Sequence, residues 1–149
     1  MRAAAGRRTL HVAEPPAAWF DRAPMVVDCS VVAALLFDEP AADDAARMLA
    51  GKALHAPTLL PYEIANVARN KQRAGSPDAV VRAALADFAE QRMQLLAAPA
   101  DELMSLALRY TLTAYDAAYL WVAASLQAPL ATFDDRLGQA ARKHLGASG

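Results

Sequence analysis

Cysteine is almost missing from this chain: Cys29 is the single one among 149 residues. An intrachain disulfide and a cysteine-built zinc site are therefore excluded, and a reducing cytoplasm is the expected setting. Charge of one sign is missing too. With 15 basic and 16 acidic residues the formal net charge is -1, so no global positive field holds a polyanion. Local patches or a metal must do that instead. A long hydrophobic run is also lacking. The longest uncharged stretch, between Asp116 and Asp134, contains Gln127 and Pro129 and falls short of the roughly 20 apolar residues that cross a bilayer, so no membrane segment is expected.

The residues present fit one globular domain. The chain is 56% hydrophobic, but 38 of its residues are alanine, which points to tightly packed alanine-rich helices rather than a greasy core. Residues 1–24 differ from the rest, with Arg2, Arg7 and Arg8 ahead of any acid and Pro15, Pro16 and Pro24 interrupting any regular element there. They read as an N-terminal extension or a mis-assigned start at which Met25 is the natural beginning; no continuous apolar stretch of secretory-signal length occurs there. The domain proper is expected over 25–149.

From Met25 onward, strand-like and helix-like segments alternate. Strands are predicted at Met25–Val27, Ala53–Ala56, Met93–Ala97 and Pro129–Phe133. Between them, Ser30 is a candidate N-cap for a helix ending near Pro40, and a second helix runs from about Ala41 to Gly51. Thr58 opens a helix with Leu60, Ile64, Val67 and Ala68 inward and a polar stripe of Glu63, Asn66, Asn70 and Arg73. Ser76-Pro77 starts another, directing Val80, Val81, Leu85 and Phe88 inward. A helix comes next from about Pro99 to Tyr110. Thr113-x-x-Asp116 resembles a capping box for the next, nearly all-apolar helix, and a last helix carries Leu137 and Leu145. Parallel strands need crossovers that helices supply, so the expected architecture is α/β: a three-layer sandwich with a mostly parallel sheet of about four to five strands flanked by helices.

In such sheets the ligand crevice lies beyond the carboxyl ends of the strands. Asp28 ends the first predicted strand, Asp134 comes directly after the last, Asp116 occupies the first turn of a helix, and Glu63 lies within two turns of its own helix start. Each has a structural reading as well: a turn residue for Asp28, a helix-capping acid for Asp116, a solvated position for Glu63, and helix initiation for the Asp134-Asp135 pair. Convergence of all four is unfavourable without compensation, since two carboxylates about 4 Å apart repel by roughly 4 kcal/mol at an effective dielectric of 20. An all-oxygen donor set suits a hard cation, Mg²⁺ or Mn²⁺, and the chemistry suited to that ion is phosphodiester hydrolysis in one-metal or two-metal form.

The segments Met25-Val26-Val27-Asp28-Cys29-Ser30, Leu59 to Val67, Leu112-Thr113-Ala114-Tyr115-Asp116-Ala117-Ala118-Tyr119-Leu120 and Pro129 to Leu137 together resemble, in order, the motifs of the PIN-domain ribonucleases, most closely the VapC toxins of bacterial toxin–antitoxin modules. The likeness runs from about Met25 to Leu145. It implies a Mg²⁺-dependent endoribonuclease, with Mn²⁺ a possible substitute, whose metal is held by Asp28, Glu63, Asp116 and Asp134. Asp28 and Asp116 would be the nearest ligands, Glu63 would position or activate water, and Ser30 and Thr132 would stand behind them as hydroxyls. Asp135, next to Asp134, leaves two registers open, of which the motif selects Asp134. The resemblance further implies a homodimer and a cognate VapB-type antitoxin. RNA would meet the metal and local basic residues such as Arg69, Lys71 and Arg73, which otherwise read as a helix C-terminus complementing its dipole.

Two rival phosphoryl-transfer readings fail on single residues. A haloacid-dehalogenase-like phosphatase needs an aspartate where Ser30 stands, and a cysteine phosphatase needs an arginine where Leu35 stands. A rival of another class keeps the fold: a catalytically silent PIN-like binding or scaffold module. Retention of four mutually repelling acids argues against it.

Overall fold

The computed structural model of the chain describes residues 6, 8–13 and 22–146. Among them, β1 (His11–Ala13) precedes the repeating strand–helix portion. Strand β2 (Pro24–Val27) leads through α1 (Cys29–Leu36) and α2 (Ala42–Leu49) to β3 (Ala53–Pro57). Helices α3 (Leu60–Arg73) and α4 (Asp78–Glu90) then connect β3 to β4 (Gln94–Leu96). From there α5 (Ala100–Tyr110) and α6 (Ala114–Leu126) carry the chain to β5 (Leu130–Thr132), and α7 (Asp135–Gly146) comes last.

The five strands form one sheet in the order β1-β5-β2-β3-β4, parallel except for β1, which runs antiparallel to β5. This is the mostly parallel, helix-flanked sheet that the alternation predicts. The order also fixes where a crevice opens. Connections from β2 proceed outward to β3 and β4, whereas the connection from β4 returns past β2 to β5. Right-handed crossovers therefore put α1 to α4 on one face and α5 and α6 on the other. The direction reverses between β2 and β5, and the crevice lies beyond the carboxyl ends of those two strands.

Burial explains the local choices. Every residue of β2 is buried, as a strand covered on both faces requires, and the short β-branched run Val26-Val27 supplies it. Helix α6 contributes Ala117, Ala118, Tyr119, Leu120, Val122 and Ala123 to the interior and packs on β2, β3 and β5, which accounts for its lack of a polar face. Leu60, Ile64 and Ala68 turn inward from α3, and Leu137 and Leu145 from α7, all as the spacing predicts.

Several local expectations are corrected. The cap of α1 is Asp28, whose carboxylate accepts from the Val31 amide; Ser30 lies inside the helix. Pro77 rather than Ser76 caps α4, and α3 begins at Leu60, after Thr58. Val80 points outward at 59% exposure, and Ala84 takes the inward place beside Val81, because the apolar stripe of α4 runs i, i+3 from Val81.

Part of the segment read as an extension belongs to the sheet. His11 pairs with Thr132 and Ala13 with Leu130 in the β1–β5 ladder, and both His11 and Ala13 are buried. Three residues are too short for an alternation signal. Arg2, Arg7, Pro15 and Pro16, which carried the reading of that segment, lie outside the described residues, as do 147–149. His11 is gripped by α7: its Nε2 meets the Asp135 carboxylate, Arg142 stands 2.8 Å from its Nδ1, and Gly138 lies flat beneath it. A Cβ at position 138 would fall 2.6 Å from His11 Cγ and 2.7 Å from its Cβ, at the root of the side chain.

Gly138→Ala is therefore expected to lower stability by about 1–3 kcal/mol through overpacking, against the roughly 1 kcal/mol that alanine gains in an open helix position. Urea denaturation measures it. An unchanged or higher midpoint would mean that β1 does not sit on α7.

Candidate functional site

Asp28 closes β2 at the point where the sheet reverses direction. Its side chain is 6% exposed, and its backbone amide donates to Ala131 O of β5 at 3.3 Å. Three donors hold the carboxylate. Ser30 Oγ donates to Oδ1 at 2.6 Å, the Val31 amide donates to the same oxygen at 3.2 Å, and Thr132 Oγ1 donates to Oδ2. Both hydroxyls also accept: Ser30 Oγ takes the Phe133 amide at 3.0 Å, and Thr132 Oγ1 takes the Asp134 amide at 2.9 Å. The turn leaving β5 is thus laced to Asp28 through the two hydroxyls that the sequence picks out.

The other acids arrive from separate elements. Glu63 is in the first turn of α3 and accepts a 2.6 Å hydrogen bond from the Tyr119 hydroxyl of α6. Asp116 is in the first turn of α6, where its amide donates to Thr113 Oγ1 at 3.1 Å; this is one half of the expected capping box. Asp134 precedes α7 and accepts the Leu137 amide at 2.8 Å. The capping readings of Asp28 and Asp134 thus hold alongside any other role. Asp135 turns away to His11.

The acids feel one another's charge pairwise: Asp134 acts on Asp28 and Asp116, and Asp28 and Asp116 act on Glu63. Burial pushes the Asp28 carboxyl above the usual carboxylate range, its three hydrogen bonds pull the other way, and the charge of Asp134 adds to the rise. Glu63 is raised by burial and by the charges of Asp28 and Asp116, against the Tyr119 hydrogen bond. Asp116 is raised by burial and by Asp134, and lowered by the Thr113 hydrogen bond and the Arg136 charge. Cys29, also among these acids, is pushed up to about 12 by burial first and then by Glu63, Asp28 and Glu39. Its thiol stays protonated at neutral pH.

The acids are near one another without forming a closed cage. Among the described residues, no three acid, histidine or cysteine side chains converge tightly enough to surround an ion unaided. An all-oxygen donor set is of the kind that suits a hard cation which keeps most of its water and takes one or two carboxylates, and it is unlike a cysteine- or histidine-built zinc site.

The predicted basic cluster lies elsewhere. Arg69 and Arg73 are exposed on the far part of α3, and Lys71 is committed to Glu39 at 3.3 Å and to the face of Phe37. A cleft of about 310 Å³ lined by Arg22, Lys52, His55 and Arg92 opens where β3 begins, at the opposite end of the strands from Asp28. Nothing in the sequence places these residues together. Tyr119 is the site residue that sequence reasoning missed. Its signal was available: a tyrosine three residues after Asp116, hence on the same helix face, in an apolar helix where a buried hydroxyl needs an acceptor.

The raised carboxylates carry a stability prediction for metal-free protein. Acids with folded pKa above the ordinary 3.8 or 4.5 keep protons that the unfolded chain has released, so their contribution falls as pH rises through that window. In EDTA, Asp116→Asn should melt higher than wild type at about pH 7.5, and the difference should shrink toward about pH 4. Thermal denaturation across pH checks this, and a difference that grows on acidification would contradict it.

Residues 25–143 match the PIN domain family. Among solved structures, PAE2754 from Pyrobaculum aerophilum superposes with a TM-score of 0.62 at 28% identity, over 79% of this chain and 86% of that one. No curated protein matches. With the family pattern spanning most of the chain and the fold agreeing, the chain belongs to the PIN-domain family, whose members are generally nucleases that use divalent metals.

Proposed function

We propose that this chain is a Mg²⁺-dependent endoribonuclease, Mn²⁺ serving in its place, and the toxin of a VapC-type toxin–antitoxin pair. The observation that carries the reading is Asp28. It is a buried carboxylate oriented by Ser30 and Thr132; the charge of Asp134 raises it further, its own charge raises Glu63, and the exposed Arg136 acts on Asp116. An arrangement that raises the pKa of three acids is a cost to the folded protein unless a cation uses it.

Asp28 and Asp116 would hold the ion, with Glu63 and Asp134 completing the acidic surround. When bound, Mg²⁺ supplies charge stabilisation at a phosphoryl oxygen and lowers the pKa of a coordinated water. Ser30 and Thr132 fix both oxygens of Asp28, so the ligand needs no reorientation. The Tyr119 hydroxyl leaves Glu63 with one free oxygen, and its raised pKa suits a group that accepts a proton from water. The substrate is RNA. The partners proposed are a cognate VapB-type antitoxin, whose arginine can satisfy these carboxylates bidentately, and a second copy of the chain. The site of action is the cytoplasm. Among the described residues, no helix is long and apolar enough to cross a membrane.

Asp116→Asn should reduce Mg²⁺-dependent RNA cleavage by about 10²-fold or more while leaving the circular dichroism spectrum unchanged, and EDTA should do the same to wild type until Mg²⁺ or Mn²⁺ is restored. Full activity in the folded variant would refute the assignment. Antitoxin-free wild type that cuts no RNA with either ion would leave the scaffold reading in its place.

A further inference from the structure

Beside the acids runs a groove of about 390 Å³ lined by Leu59, Tyr62, Glu63, Asn66 and Tyr115. Tyr62, Glu63 and Asn66 share one face of α3 with Leu59, the residue that precedes the helix, at i, i+3, i+4 and i+7; Tyr115 closes the groove from the start of α6. The two tyrosines are among the most exposed large side chains of the described residues, at 80% and 67%. Each directly precedes a site acid in the chain, Tyr62 before Glu63 and Tyr115 before Asp116. The remaining exposed large apolar residues, Val80, Leu95, Met104 and Leu108, lie on α4, β4 and α5, and apart from one thioether they are aliphatic. Among the described residues, exposed aromatics are thus concentrated beside the acids.

Resting on the ribonuclease reading, we propose that Tyr62, Asn66 and Tyr115 form a nucleobase subsite that takes an unpaired base of the RNA strand being cut. Charge and shape both favour a base. Among the described residues that line the groove, the one carboxylate is Glu63 and none is lysine or arginine, so they offer a phosphate no attraction. A base is planar and neutral, and it stacks on an aromatic ring without any help from charge. Lys71 is paired with Glu39, the Arg22–Lys52–Arg92 cleft is at the other end of the strands, and Arg136, the cation that acts on Asp116, is not among the groove's lining residues. Affinity for RNA at the acidic end would then come from the metal ion, from Arg136 and from contacts indifferent to charge. Asn66 adds two donors and an acceptor, the complement needed to read the edge of a base splayed out of a stack. A paired base presents neither its faces nor that edge, so the groove selects single strands.

The test uses full-length protein in the presence of Mg²⁺ and a short fluorescein-labelled RNA, offered single-stranded, annealed to its complement, or carrying an abasic position next to the cut. Tyr62→Ala and Tyr115→Ala should each raise KM for the single strand about tenfold with kcat little changed, while Tyr62→Phe and Tyr115→Phe keep the wild-type value. On the abasic strand the alanine variants should match wild type, because the stacking partner is already gone. Alanine variants with wild-type KM, or with the same loss on intact and abasic strands, would overturn the subsite. So would a double alanine variant whose light-scattering mass changes while its KM does not, which would make the groove a contact between protein chains. Wild type that cleaves while the variants are indifferent defeats the subsite alone. Wild type that neither binds nor cleaves any of the strands defeats the ribonuclease reading with it.

Discussion

A carboxylate kept out of water is the constraint around which this molecule is arranged. Asp28 sits where the sheet changes direction, and a buried carboxylate is tolerated only when its oxygens are satisfied. Ser30 and Thr132 meet that requirement from two different elements, and each uses its remaining acceptor capacity on a backbone amide of the turn after β5. The same two hydroxyls therefore orient an acid and set the exit path of the chain. That path fixes where Asp134 stands and how α7 begins. A site built this way is preorganised, because its geometry is determined by the hydrogen bonds that allow the fold to bury it.

The second acid pair depends on a different joint. The Tyr119 hydroxyl ties α6 to Glu63 of α3, so helices on opposite faces of the sheet meet over its edge through one hydrogen bond. Burial and the Glu63 charge both push the Tyr119 phenol upward, so it remains a donor at any physiological pH. Asp116 lies one turn before Tyr119 on that helix. The position of α6 consequently sets two site groups at once, and its apolar character is what presses it onto the sheet.

Much of this was legible in the residues. The four parallel strands, the six helices connecting them and the helix after the last are announced by β-branched runs, caps and turn residues; Asp28, Asp116 and Asp134 are visible as charges at strand or helix ends, whereas Glu63 reads as one position of a polar stripe. Tertiary contacts decided what the sequence could not. Ser30 looks like a cap but is recruited by Asp28, which takes the capping role itself. Lys71 looks available for RNA but is claimed by Glu39, a residue from a different turn. Val80 and Ala84 exchange roles because the face that α4 buries is set by its neighbours, against which a one-residue rotation of the stripe is invisible in periodicity alone. The Arg22–Lys52–Arg92 cleft joins three sequence-distant cations, and pairwise spacing carries no hint of it.

Strand β1 bears on how the molecule behaves in company. By lying antiparallel on β5 it seals one border of the sheet, and the strand at the other border, β4, is three residues long with Gln94 and Leu95 exposed. Unpaired borders invite main-chain pairing with other polypeptides, and brevity is one of the ways proteins discourage it. Detaching β1 would uncover Leu130-Ala131-Thr132, an uncharged stretch whose middle strand neighbour carries Asp28. Strand β1 thus covers a border that would otherwise be open to such pairing, one strand away from the β2 end that Asp28 closes.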